Sequence, residues 1–450
     1  MLKGYTKQEI SWMMYDWANS AHSVIIVTLL PIFFDTVAGY TADSVSSMST
    51  WGYATSIAML IVALAAPFLG VFGDIRGMRK KLFSFFMLLG VAACAGMAFT
   101  PGMDFTSGPV AAGKVASLIL VLYIVSVIGF DASAIYYDAF LTDVTTEERM
   151  DKVSTMGYGL GYIGGSTIPL LIFLIMNLVG VPMLTCLAFV FGLTAVWWLA
   201  FSLPLLKNCE QTSGKPYKKG DVARSIKGVG TTIKEIIANK PMLIYILSYF
   251  FYIDGVHTVI SMATTYGTNL GLDSTGMMLA LLLVQILGLP FCLLYIKCSE
   301  KFGARTMVGF GICVYMFICI FAFFMNSLWQ FWVLAVLCAS SQGGIQALSR
   351  SMYGKLIPDK DRSGEFFGFF DIFGKFSSIM GPALVGVVSS VVANGMLGAQ
   401  GLTAQTATAE QIDAINAQSS HYGILSIIII IIVGAVLYFG FLPKAEHAKQ

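Results

Sequence analysis

An all-α membrane protein with twelve transmembrane helices in two pseudo-symmetric six-helix bundles is the fold class this sequence predicts, and three observations predict it. The 450 residues are 57% hydrophobic and only 12% charged, where an ordinary soluble domain is about 25% charged, and the mean hydropathy is +0.77. Apolar stretches long enough to cross a hydrocarbon core about 30 Å thick recur from end to end. The widest hydrophilic segment, residues 205–240, divides them into six and six.

In chain order these stretches cover 11–35, 50–73, 82–99, 115–141, 153–177 and 183–204, then 241–266, 275–298, 306–325, 329–350, 364–392 and 420–442. The first opens on Trp12 and Trp17, whose rings suit the cytosolic interface. It carries Asp16, Asn19 and His22 at steps of three, which places them on roughly one helical face and predicts that this face is wet rather than lipid-facing. The fourth sets Asp131 and Asp138 seven residues apart on one face, Asp138 being nearer the cytosol. The fifth repeats Gly157, Gly161 and Gly165 every four residues, the spacing that lets two membrane helices approach closely. Between the halves, Val222, Ile226, Val229, Ile233 and Ile236 recur at steps of four and three, with Arg224, Lys227 and Lys234 elsewhere on the wheel. That part of the linker reads either as an amphipathic helix at the cytosolic interface or as a solvated helix. The organisation expected is therefore a bundle over 1–204, a cytosolic linker over 205–240 and a second bundle over 241–450.

With the amino terminus inside, 25 of the 27 Lys and Arg fall on the cytosolic side, leaving Lys114 outside and Lys375 within a span. The loops at 36–49, 178–182, 267–274 and 393–419 hold neither residue, whereas 205–240 holds eight. The asymmetry predicts that both termini are cytosolic. The net charge of +2 carries no sign of a nucleic-acid partner. All eight Cys lie in or beside spans without a C-x-x-C pair, which reads as apolar packing rather than disulfides or a metal site. The charged start "MLKGYTKQEISWMMYDW" is followed by no small-residue cleavage site, and Asp16 interrupts its apolar region, so no cleaved signal peptide is expected.

The halves echo one another, as repeats would. "HSVI" at 22–25 returns as "HTVI" at 257–260, a displacement of 235 that also sets Asn19 on Asp254 and Trp17 on Tyr252. Asp74, Gly77 and Arg79 after the second span return as Glu300, Gly303 and Arg305 after the eighth, displaced by 226. Arg149 and Pro169 return as Arg362 and Pro382, displaced by 213. These loop and span-end residues are candidate gating groups.

Six plus six spans with this loop resemble the major facilitator superfamily. Its signature after the second span is G-x-x-x-D-[RK]-x-G-[RK]-[RK]; Gly70, Asp74, Gly77 and Arg79 fit, while Ile75 and Met78 replace basic residues and leave the salt-bridge partners of Asp74 open. Glycine permits the tight loop, and Asp and Arg at the membrane edge can bond across helices and be remade as the halves rock. The stretches "YDWANSA", "DGVHT", "YYDAFLTD", "ERMDKVSTMGYGLGYIGG" and "GGIQALSRSMYGKLIPDKDRSGEFFGFFDIFGKFSSIMGP" resemble the vacuolar amino-acid effluxer-like branch, also called the unknown major facilitator family. The resemblance runs over nearly the whole chain. It implies a secondary transporter whose spans 1, 4, 7 and 10 line a central cavity, with amino-acid efflux the activity of the branch's eukaryotic members.

An ionisable side chain within the bilayer is costly unless it is paired or faces water. Eight are candidates: Asp16, His22, Asp131, Asp138, Asp254, His257, Asp371 and Lys375, six of them on spans 1, 4 and 7. Asp371 and Lys375 stand four apart, a spacing that allows either a self-satisfied ion pair locking span 11 or a pair one member of which is released to substrate or proton. A zwitterion suits the second reading, its carboxylate replacing Asp371 opposite Lys375. Asp254, standing where the first half has Asn19, is the leading proton-coupling candidate, with a carboxylate satisfied by Tyr252 or a neighbouring helix as the alternative. His22 and His257 could relay protons or simply pack. Asn19, Tyr252, Gln285, Gln342 and Gln346 are candidate polar lining.

No H-E-x-x-H, P-loop or G-x-S-x-G occurs in the chain, and the "YD" at 137–138 with "FGD" at 72–74 has the wrong order and placement for an intramembrane aspartyl protease. No pore loop suggests a channel. The expectation is a proton-coupled, alternating-access transporter of amino acids or related zwitterions, monomeric, in a bacterial plasma membrane, with the lipid bilayer as its setting and no cofactor, metal or nucleic acid. The rival is an exporter of amphipathic drugs or lipids.

Overall fold

A computed structural model describes residues 2–41, 47–216, 221–402 and 406–442. Its helices are α1 (Lys7–Ala38), α2 (Ser47–Gly73), α3 (Arg79–Met97), α4 (Pro109–Val144), α5 (Glu147–Gly161), α6 (Ile168–Leu178), α7 (Met183–Asn208), α8 (Asp221–Ala238), α9 (Lys240–Asn269), α10 (Ser274–Phe302), α11 (Ala304–Phe323), α12 (Leu328–Leu356), α13 (Ser363–Ala399) and α14 (Ala409–Val436). A π turn, Tyr162–Thr167, joins α5 and α6 into one span. Among the described residues twelve helices are long and apolar enough to cross a membrane, as the sequence predicts.

Helix ends differ from the apolar stretches for a physical reason. Hydropathy marks the hydrocarbon depth, whereas capping decides where a helix stops. The largest correction is at span 12, expected over 420–442: α14 begins at Ala409, where the Thr408 side chain and Gln411 form a capping box. With α13 running to Ala399, the expected loop 393–419 shrinks to 400–408. Thr6 and Glu9 form the same box ahead of α1. The linker contains the expected helix as α8, with Val229 and Ile236 buried and Ile233 43% exposed. The side chains of Val222, Arg224, Ile226 and Lys227 lie outside the described residues, as do loop positions 42–46 and 403–405.

The chain forms two compact units, Met1–Thr232 with Ile357–Ile372, and Ile233–Leu356 with Phe373–Gln450. Within the first, α1 lies against the glycine face of span 5. A Cβ added at Gly157 would stand 2.4 Å from Asp16 Oδ2, and one at Gly165 would stand 2.6 Å from the Trp17 carbonyl oxygen and 2.8 Å from the Ala21 nitrogen. Helix backbones that near exclude any side chain between them. The π turn sits at this contact, ahead of Pro169, which has no N–H to return to the residue four before it and whose ring crowds that carbonyl. Thr167 Oγ1 donates instead to the Tyr162 carbonyl at 2.8 Å.

Gly165→Ala should therefore separate α1 from span 5 at a cost of about 1–3 kcal/mol, read as a lower melting temperature in detergent. Gly192→Ala, whose new Cβ would meet only Ala98 Cβ at 3.6 Å, should melt as the wild type does.

Candidate functional site

In the second unit, Asp254 on α9 is completely buried. Its Oδ1 accepts from the Gly381 amide of α13 at 3.0 Å and from Thr258 Oγ1 at 3.5 Å. Its Oδ2 has no hydrogen-bond partner among the described residues. Only glycine permits this approach, because a Cβ on Gly381 would fall on Thr258 Oγ1. One turn along α9, the half-buried His257 lies within electrostatic reach of Lys375 on α13. Tyr252 is buried with its hydroxyl 2.6 Å from Ser349 Oγ on α12. Gln342 and Gln285 line a cavity of about 100 Å³ that is otherwise mostly apolar, walled by residues such as Val259, Leu281, Phe331 and Leu334. Gln346 is half-buried one turn along α12 from Gln342.

In the first unit the expected shared wet face of α1 is not what the residues form. Asp16, Asn19 and His22 are 8%, 9% and 1% exposed, and they diverge, because two steps of three residues fall about 120° short of two full turns. Asp16 lies against Gly157 of span 5. His22 is sandwiched elsewhere: Nε2 is 3.2 Å from Ser126 Oγ of α4, and its ring packs on Phe130 at 4.7 Å and on Trp198 of α7 at 5.3 Å. Asp131 is buried in α4 and Asp138 is half-buried. Asp371 lies half-buried on α13, one turn before Lys375.

The loop between α2 and α3 is tied more tightly. Arg79 is fully buried; Nη2 donates to Asp74 Oδ1 at 3.0 Å and to Ser363 Oγ at 2.9 Å, while Nη1 pairs with Asp143 at the end of α4 and donates to Ser213 Oγ at 3.1 Å. Asp74 also accepts from the amides of Gly364 at 2.7 Å and Glu365 at 2.8 Å. These are orphan N–H groups at the start of α13, where helix geometry leaves donors unpaired and the dipole favours an anion. Burial pushes the Asp74 carboxyl up to about 7, against the downward pull of Arg79 and the two amides. Gly70 makes room, since a Cβ there would stand 2.2 Å from the Gly364 carbonyl oxygen. Gly77 turns the loop at φ +81°.

A linker strap, Gln211–Lys215, completes this cluster and was not anticipated from the sequence. Gln211 Oε1 accepts from the Gly77 and Arg79 amides at 2.9 and 3.2 Å, and its Nε2 donates to the Gly73 carbonyl at 2.9 Å. Lys215 pairs with the loop backbone as a single parallel bridge to Ile75. The amides of Thr212 and Ser213 donate to Asp143 Oδ1 at 3.2 and 2.9 Å, and that of Gly214 donates to Asp361 Oδ1 at 2.8 Å.

The repeated span-end arginines each meet a glutamate that the sequence reading passed over. Arg149 grips Glu9 with Nε and Nη2, both at 2.7 Å, and Arg362 Nε reaches Glu365 Oε2 at 3.1 Å. The capping-box pattern at Thr6 is the signal that could have singled out Glu9. In the second loop, Gly303 turns at φ +83°, Arg305 Nη2 donates to the Leu442 carbonyl at 2.7 Å, and Glu300 is exposed. The echo of the Asp74 loop is thus one of sequence and of the positive-φ glycine turn.

The sequence profile of the family described as "Vacuole effluxer Atg22 like" matches residues 5–395. The chain is 40% identical to the "Uncharacterized MFS-type transporter YxiO" of Bacillus subtilis (strain 168), over 99% of this chain and 96% of that one. It is 25% identical to "Autophagy-related protein 22-1" of Penicillium rubens over 263 residues, 53% of this chain and 44% of that one. Among solved structures, the proton:xylose symporter XylE bound to 6-bromo-6-deoxy-D-glucose matches with a TM-score of 0.71 at 14% identity, covering 98% of this chain and 96% of that one. FucP in the outward conformation matches with a TM-score of 0.63 at 11% identity, over 96% and 98% of the two chains.

Asp74→Ala should uncap α13. Amide hydrogen exchange at Gly364 and Glu365 is expected to quicken at least tenfold, while Asp104→Ala, in an exposed loop, leaves those amides as protected as in the wild type.

Proposed function

The chain belongs to the vacuole effluxer Atg22-like family and is a multi-pass transporter of the major facilitator superfamily, and we propose that it exports a small zwitterion, an amino acid or close relative, by proton-coupled alternating access. A family of transporters sets aside the enzymatic reading. The observation that carries the proposal is the Asp254 carboxyl, wholly buried, with one oxygen bonded to Gly381 and Thr258 and the other without a hydrogen-bond partner among the described residues. A buried carboxyl in low dielectric favours its neutral form, so it takes up a proton when the surroundings are dry and releases it when they become wet. Lys375 supplies the cation for a substrate carboxylate, with the half-buried His257 of the same unit within its electrostatic reach. The cavity of about 100 Å³ beside Gln285 and Gln342 supports a small solute over an amphipathic drug or lipid, whose pockets run to about 300–1,000 Å³.

Asp74, Arg79 and the strap serve in this reading as a cytosolic clasp on the start of α13 that is broken and remade during the cycle. Arg149 and Arg362 hold helix starts in place around it, and Glu300, Gly303 and Arg305 form the corresponding turn of the second half. The Lys and Arg asymmetry supports cytosolic termini in a bacterial plasma membrane, and a monomer suffices for this cycle.

In proteoliposomes, Asp254→Asn should abolish pH-driven accumulation of amino acids while leaving counterflow exchange intact; unchanged proton dependence would remove Asp254 from the role. Lys375→Ala should weaken saturable zwitterion uptake at least tenfold. Indifference to that substitution, with amphipathic dyes transported, would favour the drug or lipid exporter.

A further inference from the structure

A second cleft lies wholly within the unit formed by Ile233–Leu356 and Phe373–Gln450, between the carboxyl-terminal end of α9, the second half of α13 and the first turns of α14. Its volume is about 270 Å³, near the lower bound of about 300 Å³ for ligand pockets. The lining is unusual for a membrane helix bundle, because hydroxyl and amide side chains converge on it from all three helices.

Four of these, Thr265, Ser389, Ser390 and Asn416, make no side-chain hydrogen bond among the described residues. A helical Ser or Thr ordinarily returns its hydroxyl to a carbonyl one turn back, as Ser419 does to Asn416 at 3.1 Å and Ser426 to Gly423 at 2.6 Å. Thr265, Ser389 and Ser390 leave that bond unmade, so their donors and acceptors are available to the cleft. Asn269 and Ser420, bonded to each other at 2.9 Å, continue the polar wall.

Charge is what the lining lacks. Among the described residues no Asp, Glu, Lys, Arg or His lines the cleft. The Tyr266 hydroxyl is already engaged, donating to the Ala322 carbonyl and standing 2.7 Å from His421 Nδ1. An ion or zwitterion would shed its hydration with nothing of opposite sign among the described lining residues to receive it. Neutral hydroxyls and amides both donate and accept, and a ligand that matches them carries several hydroxyls of its own.

We propose that this cleft binds a small uncharged polyhydroxylated solute, of the size and chemistry of a cyclic polyol or monosaccharide. The site is separate from the Asp254 centre and does not depend on the transport reading given above. Gly386 lines the cleft with nothing within 4 Å of the position its Cβ would take, so a leucine there fills the space without a clash.

The test uses the full chain in nanodiscs, carrying Ser390→Cys and titrated with myo-inositol and with D-glucose, while maleimide modification at that residue is followed by peptide mass spectrometry. The modification rate is expected to fall at least tenfold along a saturable curve with at least one of the two, and glycine at equal concentration should leave it unchanged. Adding Gly386→Leu, or Asn416→Leu if the first lowers the melting temperature, should abolish the protection. A rate that responds to neither polyol, protection by glycine as strong as theirs, or protection that survives filling of the cleft would each overturn the proposal.

Discussion

Arg79 holds together what would otherwise be separate chain segments at one end of the first unit. Its guanidinium is buried without exposure and meets two carboxylates, Asp74 and Asp143, and two hydroxyls, Ser213 and Ser363. These belong to the α2–α3 loop, the end of α4, the linker and the start of α13. A planar fork of five donors suits such a junction, where a lysine would offer a single compact charge. Taking one guanidinium and two carboxylates out of water is expensive, and removing one member of such a cluster leaves the rest buried and unpaired. The contacts therefore persist or break together, and a part that switches between two arrangements needs that property.

The two halves answer the same sequence echo with different chemistry. Asp74 satisfies both carboxylate oxygens with Arg79 and the first amides of α13, and Gln211 and Lys215 pin the loop from outside. At the equivalent turn of the second half, Gly303 reproduces the positive φ, but Arg305 spends a donor on the Leu442 carbonyl. Within the spans the asymmetry reverses: His22 is packed between Ser126, Phe130 and Trp198, whereas its echo His257 is half-buried near Lys375.

Most of the fold was legible in the sequence because apolar length is a property of single segments. The twelve spans, the linker helix and the glycine face of span 5 all belong to that class. Helix limits such as Ala409 were less legible, since the Thr408–Gln411 box lies outside the apolar run. The sequence singled out candidate residues by type and could not supply their partners. Asp16, Asn19 and His22 sit at helical spacing, yet the accumulated rotation sends them to different neighbours. Gln211, Ser213 and Asp143 carry no local pattern that links them to Asp74 or to one another, because their contacts are set by distant segments meeting. The cleft of Thr265, Ser389 and Asn416 escaped for the same reason: each is an unremarkable polar residue until three helices bring them together.

The contrast between Asp74 and Asp254 bears on how each would behave during a transport cycle. Both are buried acids, but Asp74 has every oxygen engaged by donors fixed in the backbone or on Arg79, so releasing it requires moving a helix end. Asp254 has one oxygen held by the Gly381 amide and the other without a hydrogen-bond partner among the described residues, so a proton can be added or lost there without moving any of those backbone donors. A group of the first kind stores a conformation, and a group of the second kind exchanges with what enters its surroundings. On the reading proposed here, coupling is the dependence of the first on the second through α13, the one helix whose amino-terminal amides are bound by Asp74 and whose Gly381 amide is bound by Asp254.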